Sequence, residues 1–326
     1  MMHRVLLTRP WPSEVERYLR DRYELTVAAG GGSLSAADLV EALRSFDAVC
    51  PTPSDKITAD VLDAAGDARR VRILGNYGVG VSHIDLEACR RLGIVVTNTP
   101  DVLTDATAEI AILLMLMVAR RAGEGERQVR SHGWEGWGPT RILGTDVTGK
   151  TLGVLGFGRI GQATARKAHH GFGMRVLYHS RRRAAAEVES VTGAMYCESL
   201  DELLGQVDFV SVNTPGGAAN RHLIDARRLR LMKRSSFLIN TARGEVVDET
   251  ALAAALLDGV IAGAGLDVYE HEPHVPEALL ELENVVLLPH LGSATRETRI
   301  AMGMRVASNL EQFFSGVKPR DQLVPS

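Results

Sequence analysis

Residues 151–183 read TLGVLGFGRIGQATARKAHHGFGMRVLYHSRRR, and their reading decides the fold. Thr151–Leu155 is a run of small and apolar residues, the pattern of a buried strand. Gly156, Gly158 and Gly161 follow in Gly-x-Gly-x-x-Gly spacing, then an Ala-rich helical stretch over about Arg159–Ala168, then a second apolar run at Met174–Tyr178. That strand–turn–helix–strand context is what a dinucleotide-binding turn requires. Gly156 permits the tight turn, Gly158 lets the backbone approach a pyrophosphate, and Gly161 lets the helix lie close to the sheet. The free N–H groups at the helix start, around Arg159, Ile160 and Gly161, then face the phosphates with the favourable end of the helix dipole.

The end of the second strand bears on which dinucleotide. An NAD site usually places Asp or Glu about 20 residues beyond the glycines, against the ribose 2′-hydroxyl. Here the strand runs into His179-Ser180-Arg181-Arg182-Arg183, with a hydroxyl and three guanidinium groups and no carboxylate. Arginine gives a 2′-phosphate charge-assisted, partly bidentate hydrogen bonds, so the sequence favours NADP(H) over NAD(H). The competing reading is a solvated basic start to the helix that holds Glu187 and Glu189.

Working outward, 326 residues suffice for two domains with sizeable cores. The net charge of −3 offers no field suited to nucleic acid. Cys50, Cys89 and Cys197 lie far apart, form neither a zinc-ligand spacing nor a disulfide framework, and suit a reducing cytoplasm. No metal is expected. The N-terminus passes straight into strand-like sequence, without the look of a signal peptide. The longest apolar run, Ile110–Ala119, is too short to span a bilayer, so no membrane partner is expected.

Strand-like runs at 4–8, 23–27, 47–50, 71–74 and 94–96 alternate with helical patterns near 12–21, 36–44, 58–65 and 85–92. Alternation of this kind implies a parallel sheet with helices on its faces. Gly30-Gly31-Gly32 lacks the phosphate-loop spacing and reads as a flexible turn. Asn76-Tyr77-Gly78-Val79-Gly80 follows a strand, and its backbone N–H groups either point at an anion or form an ordinary turn. Thr104–Arg121 is apolar almost all round, as in a helix buried in a core or a subunit interface. Ala122–Thr148 is polar and Gly-rich with Trp134 and Trp137, and reads as an arm that wraps a partner, covers the active site or packs back on its own domain. The α/β rhythm resumes with strands near 207–212, 236–240, 261–266 and 285–288, and ends in a long amphipathic helix from Thr295 to about Phe314.

Three ionisable residues follow strands of this second block: Arg243 in NTARG, Glu272 in DVYEHEP and His290 in LLPHLG. Ligands of open parallel sheets bind at the carboxyl ends of the strands, so successive strands can deliver all three to one crevice.

With these residues in view the chain resembles the D-isomer-specific 2-hydroxyacid dehydrogenases, most closely their glyoxylate/hydroxypyruvate reductase branch. The resemblance rests on Asn76–Gly80, TNTP at 97–100, DATAE at 105–109, the glycine turn at 156–161, TARG at 241–244, GLDVY at 265–269 and PHLGS at 289–293. It implies an α/β chain of two Rossmann-like, doubly wound parallel-sheet domains with a cleft between them. Residues 1–99 plus 292–326 would bind substrate and residues 100–291 the cofactor. Arg243 would hold the carboxylate and keto oxygen of a small 2-oxo acid, and the loop Asn76, Tyr77, Gly78, Val79 and Gly80 would take the other carboxylate oxygen. His290 would donate the proton, and Glu272 would keep the imidazole charged. Asp267 would contact the nicotinamide carboxamide, the Thr241 and Ala242 backbone would flank that ring, Thr107 and Gly292 would also meet the cofactor, and Thr214 and Pro215 would lie on its adenosine side. A homodimer through 101–150 is also implied.

One departure stands out, because Gly216-Gly217 replaces the Leu-Thr usual after Pro215 and suggests a softer loop. Among rivals, a phosphoglycerate dehydrogenase usually carries the NAD-type acid, and formate dehydrogenases have Gln where Glu272 stands. Phosphonate oxidation uses a similar scaffold. A nucleotide-sensing corepressor of this fold is the non-enzymatic alternative, against which the complete triad argues.

Overall fold

The computed structural model describes residues 2–30 and 32–324, so Gly31 of the Gly30–Gly32 turn lies outside the described residues. The chain forms two compact units, Met1–Leu103 with Ala294–Ser326, and Thr104–Ser293. The divisions fall a few residues later than the sequence reading places them.

In the first unit, β1 (Arg4–Leu7), β2 (Glu24–Val27), β3 (Ala48–Cys50), β4 (Ile73–Gly75) and β5 (Val95–Thr97) form a parallel sheet in the order β2-β1-β3-β4-β5. Its inner strands are short continuous apolar runs buried on both faces, whereas the edge strand β2 alternates exposed and half-buried residues. A further strand, Gln322–Val324, adds antiparallel to β5. Sequence reading missed it, since three residues near a chain end carry no period of their own. Helix Arg296–Phe314 begins at Thr295, whose side chain accepts from the Thr298 N–H. It packs through Met302, Val306 and Leu310. Gly75 makes room for it, because a Cβ there would stand 2.7 Å from Val306 Cγ1.

The second unit holds β6 (Thr151–Leu155), β7 (Arg175–His179), β8 (Ala194–Tyr196), β9 (Phe209–Val212), β10 (Phe237–Asn240), β11 (Gly263–Leu266) and β12 (Val285–Leu287). All pair in parallel, in the order β12-β11-β10-β9-β6-β7-β8. Strand order reverses between β6 and β9, which is where such sheets open a ligand crevice. Adjacent residues point to opposite faces. Val210 and Leu238 join one core with Leu203 and Leu252, while Phe209 and Ile239 join another with Leu114 and Ala165. Both faces are therefore covered by helices, as a doubly wound sheet demands. The three-residue edge strand β8 escaped the sequence reading.

Helix Thr104–Ala119 lies along this sheet, buried through Ala108, Ala111, Leu114, Met115 and Val118. The stretch after it is not all loop, for Ala122–Arg130 is helical. That helix buries nothing and is laced by the ion pairs Arg121–Glu124 and Glu126–Arg130, so no apolar period announces it. Two glycines of β11 admit the longer helix. A Cβ on Gly265 would meet Leu114 Cβ at 2.9 Å, and one on Gly263 would meet Val118 Cγ2 at 2.9 Å. Overpacking of this kind costs about 1–3 kcal/mol. Gly265→Val is therefore expected to lower unfolding free energy by that order in urea titrations, and unchanged stability would contradict the packing described.

Candidate active site

The glycine turn has the shape its sequence requires. Gly156 adopts φ +89°, and a Cβ on it would lie 2.8 Å from the backbone of Asn213 and Thr214. The loop after β9, with Thr214 and Pro215, thus runs directly beside the turn. A Cβ on Gly161 would sit 2.3 Å from the Gly156 carbonyl, so helix Arg159–Phe172 can approach the turn only through glycine. Gly158, by contrast, has no neighbour within 4 Å, and no side chain caps the helix start where Arg159 and Ile160 stand. An open, uncapped helix N-terminus on a glycine turn fits a dinucleotide pyrophosphate.

At the end of β7 the three arginines separate. Arg181 and Arg182 are exposed and their guanidinium groups have no partner among the described residues. Arg183, grouped with them in the sequence, is instead paired in two-pronged fashion with Glu189, at 2.9 and 2.8 Å. Its share of the basic tip follows the competing reading. Ser180 Oγ donates to the Arg182 carbonyl at 2.5 Å, closing the loop on itself. The Gly216-Gly217 departure is not a softening either. Glu245 Oε1 accepts from the Gly217 N–H at 2.7 Å and would stand 2.1 Å from a Cβ on Gly216, so this carboxylate occupies the space a side chain would need. Asn220 Nδ2 donates to the Pro215 carbonyl at 2.9 Å and ties the loop's other end.

The three ionisable residues lie after β10, β11 and β12, and Glu272 and His290 are in contact. His290 Nδ1 meets Glu272 Oε2 at 2.8 Å, while Glu272 Oε1 accepts from the Tyr269 N–H at 3.0 Å. Burial opposes ionisation of Glu272, but the hydrogen bond and charge of His290, the Tyr269 N–H and the Arg243 charge outweigh it and hold the carboxyl below its ordinary value. His290 is one of few non-glycine residues in the left-handed region, at φ +56°. Asp267 holds it there. Its carboxylate accepts from Leu291 N at 2.6 Å and Gly292 N at 2.8 Å, and Thr107 Oγ1 donates to the Gly292 carbonyl at 3.0 Å. Burial pushes the Asp267 carboxyl above its ordinary value, against the pull of these N–H groups and of His290. Asp267 and Thr107, expected at the cofactor, are thus also the anchors of the His290 loop.

Arg243 sits half-buried in an extended conformation at the start of a short 3₁₀ turn. Asn240 shapes the bend: its Oδ1 accepts from Ala242 N and its Nδ2 donates to the Arg243 carbonyl, both at 3.0 Å. Arg243 Nη1 donates to the Ala242 carbonyl at 2.6 Å, and the rest of the guanidinium has no hydrogen-bond partner among the described residues. Burial lowers its pKa and the charges of Glu272 and Glu245 raise it, leaving a cation in any ordinary buffer. Gly244 is obligatory, since a Cβ would fall 1.9 Å from the Tyr269 carbonyl carbon. Thr241 Oγ1 is buried with no hydrogen-bond partner among the described residues, a polar atom suited to a bound ring at this bend.

In the first unit the loop after β4 is pulled back by its carbonyls. Asn76 Nδ2 donates to the Gly78 and Gly80 carbonyls at 2.9 and 3.1 Å, the Thr99 N–H to Gly78 O at 3.0 Å, and Asn98 Nδ2 to Val79 O at 2.9 Å. His83 Nε2 in turn meets Asn76 Oδ1 at 2.9 Å. The carbonyls are thus tied, while the Val79 and Gly80 N–H groups have no hydrogen-bond partner among the described residues. Tyr77 offers no hydroxyl to a ligand. Its ring packs on Trp11 at 4.4 Å and its Oη donates to the Arg299 carbonyl at 2.6 Å. Asn98, His83, Asn240 and Glu245 are positioning residues that sequence reasoning did not single out, although Asn98 and Asn240 lie inside quoted motifs.

The Glu272 carboxyl is lower in the folded state than unfolded, so its contribution to stability is present above the ordinary glutamate range and lost as pH falls through the depressed value. The gap in unfolding free energy between the wild type and Glu272→Gln is expected to narrow below about pH 4, just under the usual glutamate pKa. Urea titrations across that range check it, and a pH-independent gap would overturn the ion pair.

Comparison with known proteins identifies the family. Residues 112–292 match the model of the D-isomer specific 2-hydroxyacid dehydrogenase NAD binding domain. The chain is 47% identical over 323 residues to the glyoxylate reductase of Thermococcus onnurineus, covering 98% of this chain and 95% of that one. It is 45% identical to the glyoxylate reductase of Pyrococcus furiosus, covering 98% and 94%. Among solved structures, the NADPH-dependent glyoxylate/hydroxypyruvate reductase of Sinorhizobium meliloti with NADP and malonate superposes with TM-score 0.87 at 35% identity, covering 99% and 97%. A glyoxylate reductase from Paecilomyes thermophila gives 0.87 at 34% identity, covering 99% and 98%. A two-sheet α/β chain with this triad, this glycine turn and these relatives belongs to the D-isomer-specific 2-hydroxyacid dehydrogenases.

Proposed function

We propose that this dehydrogenase reduces a small 2-oxo acid of the glyoxylate or hydroxypyruvate type to the D-2-hydroxy acid, with NADPH preferred over NADH. One observation carries the reading above the others: His290 Nδ1 is engaged by Glu272, which leaves Nε2 as the ring's free edge. When bound, the reduced nicotinamide supplies the hydride. Arg243 grips the carboxylate and the keto oxygen through its unpartnered guanidinium N–H groups. His290 Nε2 gives its proton to that oxygen as negative charge builds there, and Glu272 stabilises the imidazolium until it does. The Asn76–Gly80 loop is assigned to the substrate carboxylate on the strength of its unpartnered Val79 and Gly80 N–H groups. The names of the relatives above support the substrate class. The free Arg181 and Arg182, where an acid would serve NAD, support the 2′-phosphate. The three unpaired thiols suit a cytoplasmic enzyme.

The same reading includes a homodimer through residues 101–150. Trp134, Trp137 and Leu143 are 60%, 86% and 64% exposed on the single chain, and a dimer interface would take that apolar surface out of water. A cavity of about 320 Å³ lined by Val118, Arg121, Leu143, Phe237, Glu283 and Val285 lies at the amino-terminal ends of β10–β12, away from the triad, and can receive part of a second copy. Sedimentation is expected to show a dimer that Trp134→Ala with Trp137→Ala weakens; a monomeric wild type at micromolar concentration would remove this part of the proposal.

Initial rates of NADPH and NADH oxidation with glyoxylate and hydroxypyruvate test the chemistry. NADPH is expected to turn over faster, and His290→Ala to lower kcat by about 10²- to 10⁴-fold, the scale of lost acid catalysis. Preference for NADH would sink the 2′-phosphate reading and leave the chemistry intact. Absence of turnover with either acid and with larger 2-oxo acids would return the nucleotide-sensing alternative.

A further inference from the structure

Tyr178, the penultimate residue of β7, is buried, yet its hydroxyl reaches the basic loop that follows. The ring stacks on Phe157, inside the glycine turn, with centroids 3.8 Å apart and planes 18° from parallel. Its Oη accepts from the Ala184 N–H at 2.8 Å and donates to Glu189 Oε1 at 2.7 Å. Glu189 is the same carboxylate that binds Arg183 in two-pronged fashion. At the loop's start, Tyr196 Oη donates to the Ser180 carbonyl at 3.4 Å, and Ser180 Oγ to the Arg182 carbonyl. Ser180, Arg182, Arg183 and Ala184 are thus each tied, and only the Arg181 and Arg182 guanidinium groups remain to meet a ligand. The charges agree: Arg183 first, and Tyr178 second, hold the Glu189 carboxyl down to about 2. Burial, then the Glu189 bond, push the Tyr178 hydroxyl up to about 12, so it stays a donor.

We infer that Tyr178 and Glu189 are positioning residues for cofactor selectivity, and that Arg183 is the anchor and charge shield of the loop, while Arg181 and Arg182 alone are the 2′-phosphate ligands. The inference rests on the NADPH preference proposed above. A carboxylate at this end of the strand is what favours a free ribose 2′-hydroxyl and repels a phosphate. Glu189, on the helix that follows, brings a carboxylate onto the hydroxyl of the strand-end Tyr178, and the Arg183 fork neutralises its charge. Tyr178 links the pyrophosphate turn to the phosphate loop by stacking at one end and hydrogen bonding at the other, so the pyrophosphate and 2′-phosphate positions of the adenosine half are registered on one rigid ring.

Calorimetric titration of NADPH and of NADH, without substrate, separates the possibilities. Tyr178→Phe is expected to weaken NADPH by about tenfold, the scale of one lost buried hydrogen bond, and to leave NADH within about twofold. Equal weakening of both cofactors, or of neither, would overturn the role of Tyr178. Arg183→Met lies on the surface and leaves the core untouched. It is expected to weaken NADPH selectively, and adding Glu189→Gln to it is expected to recover part of the loss by removing the unshielded charge. A double variant no better than Arg183→Met would make Arg183 a direct ligand and overturn its role as shield. The paired replacement Arg181→Met with Arg182→Met tests the parent reading separately: if it leaves the NADPH preference intact, the 2′-phosphate site itself is elsewhere.

Discussion

The carboxylate of Asp267 is the constraint on which the chemical end of the second unit depends. It accepts two consecutive backbone N–H groups, from Leu291 and Gly292, and so closes the turn in which His290 is held at positive φ. A non-glycine residue keeps that conformation only when its surroundings over-determine it. Here they do so from three sides: Asp267 at the end of β11, Thr107 on the apolar helix, and Glu272 on the imidazole itself. The strain is local and the Asp267 and Thr107 anchors are buried, so the turn that carries the ring is set before any ligand arrives. Preorganisation of this kind is what lets a proton donor act without waiting for the protein to rearrange.

Glycine supplies the complementary constraint of close approach. Gly156, Gly161, Gly244 and Gly265 each stand where a Cβ would collide with backbone or with a packed side chain. They bring respectively the β9 loop, the phosphate helix, the Glu272 segment and the apolar helix to van der Waals distance from the sheet. Gly216 belongs with them, although the sequence suggested slackness there. Its missing side chain is replaced by the Glu245 carboxylate, and the loop is held by a hydrogen bond in place of packing.

Charged groups in the second unit work largely by occupying one another. Arg183 quiets Glu189, and Glu272 accepts from Tyr269 and His290 together. Among the groups that such pairing leaves over in the described residues are the guanidiniums of Arg181, Arg182 and Arg243 and the Nε2 edge of His290. They are the set that a 2-oxo acid and a phosphorylated cofactor would require. In the first unit the same logic applies to backbone. Asn76, Asn98 and Thr99 take up the carbonyls of the Gly78–Gly80 loop, while the Val79 and Gly80 N–H groups have no partner among the described residues.

The sequence by itself determined the doubly wound parallel architecture, the glycine turn and the placing of Arg243, Glu272 and His290 after successive strands. Each of these is local: a strand declares itself by a short apolar run, a turn by glycine spacing, and a strand end by the polar residues beyond it. Three-residue edge strands and the polar helix at Ala122–Arg130 were not legible, because they carry neither a buried period nor a breaker pattern. Side-chain partnership was not legible either. That Arg183 would be taken up by Glu189, Tyr77 by a helix carbonyl, and Asp267 and Thr107 by the His290 turn was decided only by tertiary structure. A hydrogen bond forms where two groups come within about 3 Å in the right direction, and folding sets that distance between segments whose spacing along the chain says nothing of it.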